Sequence, residues 1–295
     1  MRKQLRFILL AVILVILWGM SQPSGIQAQE PVSQLVPQSE QLWQLHQDDQ
    51  PIATPLVAQA PRQPVATESV TYANLEGQAV TGYLARPAQA SQALPALIVI
   101  HEWWGLNQNI KQMTERLAGE GYTALAVDLY EGQVAETPEV AKELVTTAQQ
   151  NSNRLNDNLR QAYQYLNQRQ QAPKIGSIGW CFGGTWSLNT ALLFPERLDA
   201  AVIYYGGGIT TDPEKLEPLQ MPILGIFGEL DQNPSVATVK QFESALKSLG
   251  KSIEVKIYPD ANHAFANPSG TLYNATAAED AWQKTAAFLA KYLKD

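Results

Sequence analysis

From residue 69 onward the apolar positions come in short runs that alternate with stretches of helical spacing. Residues 69–72 and 79–86 alternate apolar and polar side chains around Asn74-Leu75-Glu76-Gly77, the pattern of a hairpin. The runs 95–100, 123–127, 174–179, 200–205, 222–227 and 253–258 read as strands buried on both faces. Between them lie amphipathic stretches. Residues 107–120 place Ile110, Met113, Leu117 and Ala118 on one face and stop at Gly121. Residues 137–169 read as two helices broken at 151–153; 185–194, 234–249 and 274–293 read as further helices. Strands alternating with helices predict an α/β architecture, a mostly parallel sheet with helices on both faces. In such sheets ligands bind beyond the carboxyl ends of the strands.

Upstream the pattern is different. Residues 1–6 are basic, 7–20 apolar, and 21–28 polar, ending Ile26-Gln27-Ala28. This is the layout of a signal peptide over 1–28, with cleavage expected after Ala28. The apolar run of 14 residues falls short of the roughly 20 that span a bilayer. The alternative is an uncleaved N-terminal membrane anchor. Either way the folded part is expected to be exported, periplasmic or secreted. Residues 29–67 are rich in Gln and Pro and read as a linker, relieved by a Leu42-Trp43-x-Leu45 patch and containing His46. The folded domain is expected over 68–295.

Of the 295 residues 45% are apolar, enough for one sizeable core. Loss of Arg2, Lys3 and Arg6 with the leader takes the net charge from −7 to about −10, which argues against nucleic acid or an anionic membrane as partner. One cysteine, Cys181, rules out an intrachain disulfide framework.

Cys181 stands in Ile178-Gly179-Trp180-Cys181-Phe182-Gly183-Gly184, between a strand and a helix. This is the G-x-S-x-G nucleophile elbow of the α/β-hydrolase fold with cysteine in the serine position. A thiol needs a base to become a nucleophile. His263, after the last strand, fits the order nucleophile, acid, histidine; His101 does not. Asp231, at the end of 222–227 and its glycine turn, is the favoured acid over Glu229, Asp199 and Asp260, with the task of orienting His263.

Together with His101-Glu102-Trp103-Trp104-Gly105 and Asp128-Leu129-Tyr130, these residues resemble the dienelactone hydrolases over roughly residues 68–293. The resemblance implies that Glu102 takes the proton of Cys181 when substrate binds. It implies an oxyanion hole made by the backbone N–H groups of Phe182 and Trp103, and a pocket walled by Trp104, Tyr130 and Phe265. The reaction implied is ester or lactone hydrolysis through a thioester, with no metal or organic cofactor, by a chain expected to be monomeric and free of stable membrane insertion once its leader is cleaved. One feature departs from the family. Its members bind a substrate carboxylate with arginines, where this chain has Glu131, Gly132 and Asn267; a less anionic substrate is expected. Arg154 or Arg160 is the alternative source of such a cation. The competing readings are a non-catalytic small-molecule-binding protein and a thiol redox sensor on the same fold; a sensor usually needs a resolving cysteine.

Overall fold

The structure is a computed structural model that describes residues 38–49, 51 and 60–295. The expected signal peptide, and the expected linker as far as residue 37, lie outside the described residues.

Eight strands form one sheet in the order β1-β2-β4-β3-β5-β6-β7-β8. The hairpin comes first, β1 (Val65–Leu75) and β2 (Gln78–Pro87), antiparallel to each other. Its tip places Glu76 and Gly77 at φ 52° and 90°, and Asn74 Oδ1 accepts the Gly77 N–H at 2.9 Å. Two successive residues at positive φ give the turn whose twist matches that of the flanking strands. β2 runs antiparallel to β4 (Thr123–Val127). From there the sheet is parallel: β3 (Ala96–Ile100), β5 (Ile175–Trp180), β6 (Ala200–Tyr204), β7 (Ile223–Gly228) and β8 (Ile253–Tyr258).

Every residue of β3, β4, β5, β6 and β7 is buried, which is why these strands read as unbroken apolar runs. β8 corrects the expectation. It is an edge strand, with Glu254 exposed and most of its neighbours half-buried. The crossover helices are α2 (Gln108–Gly119), α3 (Pro138–Gln150), α4 (Ser152–Gln164), α5 (Phe182–Leu193), α6 (Pro213–Leu216), α7 (Val236–Ser248) and α8 (Ala275–Leu293). Side-chain caps mark several starts: Asn107, Thr137, Ser235 and Asn274 each accept an N–H from the first turn. The break between α3 and α4 falls at Asn151, inside the stretch expected.

The expected linker is not featureless. Within it lies α1 (Gln38–His46), and residues 38–49 belong to the same compact unit as the sheet. Leu42 is buried in the main core, Glu40 pairs with Lys142 of α3, and Lys142 also lies over the Trp43 ring. A helix of nine residues with so few apolar positions is too short to be stable alone or to show a period. It exists because it docks.

Candidate active site

The candidate residues named from the sequence all follow strands. His101 and Glu102 follow β3, Cys181 follows β5, Asp231 comes three residues after β7, and His263 lies in the loop after β8. Parallel strands end at one edge of the sheet, so side chains scattered along the sequence arrive together.

The turn at Cys181 is tight. Its φ and ψ are 58° and −118°, an unfavourable pair for a residue with a side chain. Its N–H is held by Tyr204 O at 3.1 Å. A Cβ on Gly179 would lie 2.1 Å from Gly183 O, and a Cβ on Gly183 2.3 Å from Ile100 O. The glycines thus let α5 start against the ends of β3 and β5. The thiol sits at the N-terminus of α5, where unpaired N–H groups and the helix dipole favour negative charge.

His263 Nδ1 donates to Asp231 Oδ2 at 2.8 Å, both side chains fully buried. Asp231 is itself fixed, since its Oδ1 accepts the N–H of Asn233 at 2.7 Å. Glu229, the competing acid, is exposed; Asp260 is exposed too, and Asp199 serves the N–H of Ile175 at the opposite ends of the strands. Burial by itself would push the thiol up, but the His263 imidazole, and then that of His46, overcome it and hold Cys181 at about 6. His263 is the counterpart. Burial would lower it, yet the carboxylate of Asp231 and the charge of Cys181 carry it well above the ordinary histidine value. The pair is poised as thiolate and imidazolium.

Glu102 is buried and pushed up to about 8, first by burial and then by the charge of Cys181. Its Oε2 accepts from Asn267 Nδ2 at 2.6 Å, and Asn267 is held in turn by Asn109. Near neutral pH the carboxyl therefore carries the proton while the thiol does not. His101 is a packing residue: Nδ1 donates to Glu102 O at 2.6 Å and Nε2 accepts the Leu129 N–H at 3.2 Å. The three expected wall residues are all buried. Trp104 lies edge-on to Trp103, Tyr130 against His101 and Phe182, and Phe265 against Tyr205 and Tyr258.

The alternative arginines already have carboxylate partners. Arg154 makes a two-pronged pair with Glu131 and a further one with Glu76, and Arg160 pairs with Asp157. Arg154 thus ties α4 to the turn after β4 and to the hairpin tip, whereas Arg160 pairs within α4. Gly132 donates its N–H to Asp128 Oδ2 at φ 94°, so the turn there is a backbone device.

Against known proteins, residues 80–293 match the model of the dienelactone hydrolase family. The chain belongs to the dienelactone hydrolase family. It is an ester or lactone hydrolase with the α/β-hydrolase fold. Among its relatives is protein usf of Aquifex pyrophilus, 36% identical over 74% of this chain and 95% of that one. Another, from Saccharolobus solfataricus, is named by inference as a carboxymethylenebutenolidase; it is 34% identical over 77% of this chain and all of its own. A Klebsiella pneumoniae structure described, by inference, as a dienelactone hydrolase superposes with a TM-score of 0.71 at 28% identity, covering 78% of this chain and 100% of that chain.

Two site residues escaped the sequence reading of this family member, and both lie before the matched region. His46 is buried, its ring 5.1 Å from that of Trp103 and 5.3 Å from that of His263. Its Nδ1 donates to Asp49 Oδ2 at 2.7 Å, and Asp49 Oδ1 accepts the Thr271 N–H at 2.8 Å. The sequence held one clue, a His-x-x-Asp spacing just after the Leu42-Trp43-x-Leu45 patch.

Proposed function

We propose that this dienelactone hydrolase family member cleaves neutral carboxylic esters or lactones through a Cys181-His263-Asp231 triad and a thioester intermediate. The observation that carries the reading is the thiol held at about 6 on the N-terminus of α5, beside an imidazole oriented by a buried carboxylate. The sulfur adds to the ester carbonyl carbon, and the N–H groups of Phe182 and Trp103 take the oxyanion. Collapse breaks the C–O bond, and the leaving alkoxide takes the Nε2 proton of His263. The freed imidazole then removes a proton from water, hydroxide attacks the thioester carbon, and the thiolate leaves with the acid as product. Glu102 stores the proton given up by the thiol, and Trp104, Tyr130 and Phe265 shape the apolar surroundings. Two things support the neutral substrate: the arginines considered for a carboxylate are tied to Glu131, Glu76 and Asp157, and Asn267 is engaged with Glu102.

The test is hydrolysis of short p-nitrophenyl esters and of a neutral lactone by the protein and by Cys181→Ala. Loss of activity in the variant is expected; equal rates would sink the reading. We also propose export by the N-terminal leader, for which a mature chain beginning at Gln29 in the extracytoplasmic fraction is the supporting result. Among the described residues no helix is long and apolar enough to cross a membrane.

A further inference from the structure

His46, Cys181 and His263 are all buried, and each brings one potential ligand atom to within 4.8 Å of the others. The hydrogen bonds decide which atoms these are. A carboxylate can only accept, so Asp49 and Asp231 fix the proton of each ring on Nδ1. Each Nε2 is left to face the sulfur, and neither has a well-formed hydrogen bond among the described residues. The sulfur and the two Nε2 atoms thus converge on one buried space, and a cation entering it would displace the proton they share.

We propose that His46, Cys181 and His263 form a binding site for a thiophilic divalent cation, of which Zn²⁺ is the type. One thiolate and two imidazoles are the donor set such borderline-soft ions take. Ligand bonds of about 2.0–2.3 Å put tetrahedral donors roughly 3.3–3.8 Å apart, compatible with three donors that all lie within 4.8 Å of one another. Each imidazole is already backed by a carboxylate on its far nitrogen, the arrangement that orients metal-binding histidines and raises their basicity. Asp49 is in turn held by Thr271, so the second ring is set from two sides. This departs from the metal-free site expected from the sequence. It does so because His46 comes from a segment outside residues 80–293, the part shared with the family model. Without that segment the site would keep two of its three donors.

The cation would occupy the sulfur lone pair that attacks the carbonyl carbon. Metal and ester then compete for Cys181, a consequence that rests on the hydrolytic reading above, whereas binding itself does not.

The full chain, freed of metal with a chelator and exchanged into clean buffer, is dialysed against Zn²⁺ and the bound metal is counted; Co²⁺ serves as a spectroscopic probe. One equivalent of Zn²⁺ is expected, with a thiolate-to-cobalt charge-transfer band that Cys181→Ser removes. His46→Gln is expected to weaken binding at least tenfold, and Asp49→Asn by roughly 10–100-fold, the usual cost of removing a carboxylate behind a ligating histidine. Should His46→Gln fail to fold by circular dichroism, Asp49→Asn carries the comparison. Substoichiometric Zn²⁺, a cobalt spectrum without the thiolate band, or wild-type affinity in the folded variants would overturn the proposal. Esterase activity is read separately, first in chelator and then during Zn²⁺ titration. It should fall in step with occupancy and return with chelator. Full activity at full occupancy overturns the competition. Stoichiometric metal in a chain with no activity in chelator would keep the metal site and remove the hydrolytic reading instead.

Discussion

The rings of His46 and His263 meet edge to face, centroids 5.3 Å apart and planes at 66°, and both lie beside the sulfur of Cys181. Each is backed by an aspartate, Asp49 for one and Asp231 for the other. The two pairs differ in origin. His263 and Asp231 hang from the ends of the sheet, whereas His46 and Asp49 arrive on a docked helix and the short loop after it.

Asp231→Asn tests the orientation of His263. An amide at that position can present its N–H₂ to Nδ1 and favour the wrong tautomer, so kcat should fall by roughly 10³–10⁴ with little change in stability. Steady-state kinetics on a p-nitrophenyl ester and a thermal melt check both halves. Unchanged kcat would remove Asp231 from the triad.

The thiol should be acidic. With Cys181 held at about 6, its alkylation by iodoacetamide in chelator-containing buffer rises with pH around a midpoint near that value. An ordinary cysteine would give a midpoint near 8.5. Below the midpoint the thiol is protonated and both alkylation and kcat/KM decline. In His263→Ala the largest attractive partner is gone, and the midpoint should move up.

Glu102 makes stability depend on pH. Its folded value of about 8 lies above the roughly 4.3 of a free glutamate, so between those limits the folded chain holds the extra proton. Its contribution to stability therefore falls as pH rises through that window and levels off above it, while the lowered Cys181 thiol contributes with the opposite sign above about 6. Glu102→Gln removes the dependence and keeps an acceptor for Asn267. The variant should gain on the wild type by about 1.4 kcal/mol for each pH unit in the window, up to a few kcal/mol near pH 8. Urea unfolding at pH 4 and pH 8.5 reads the difference; a variant less stable than wild type at pH 8.5 would contradict it.

Gly183→Ala should disturb the elbow itself. The added methyl would lie 2.3 Å from Ile100 O and 2.5 Å from His101 O, both backbone atoms. Relief requires α5 to move off β3, at a cost of about 2–4 kcal/mol and with loss of esterase activity. A shift in urea midpoint measures the first. A fully stable, fully active variant would show that the close approach is not needed.

Arg154→Ala should leave ester kinetics within about twofold of wild type, as surface substitutions away from a site commonly do. The guanidinium already pairs with Glu131 of the turn after β4 and Glu76 of the hairpin tip. A large rise in KM confined to an anionic lactone would instead bring this cation into substrate recognition.

How the sheet lies and which residues gather at its edge could be read from the chain because both follow local rules. Buried strands such as Ala96–Ile100 and Ala200–Tyr204 show as apolar runs, since a strand covered on both faces can carry nothing else. Cys181 between Gly179 and Gly183, and Asp231 and His263 each soon after a strand, followed from the same reasoning, because parallel strands deliver their ends to one place. The half-exposed character of β8 was legible too, in the alternation of Glu254 and Lys256 with Ile253, Val255 and Ile257, and reading it as a buried run passed over that signal.

What the sequence by itself determined was the α/β order, the elbow and the identity of the triad candidates. Only the tertiary structure decided that His46 and Asp49 belong with them, that Asn267 holds Glu102 and that Arg154 pairs with Glu131. The reason is physical. A strand end carries its position in the local pattern, but the docking of α1 depends on Leu42 finding the core, Glu40 finding Lys142 and Asp49 finding Thr271. Those partners are far apart in the chain, and no periodicity in nine residues of helix records where the other side of the contact lies.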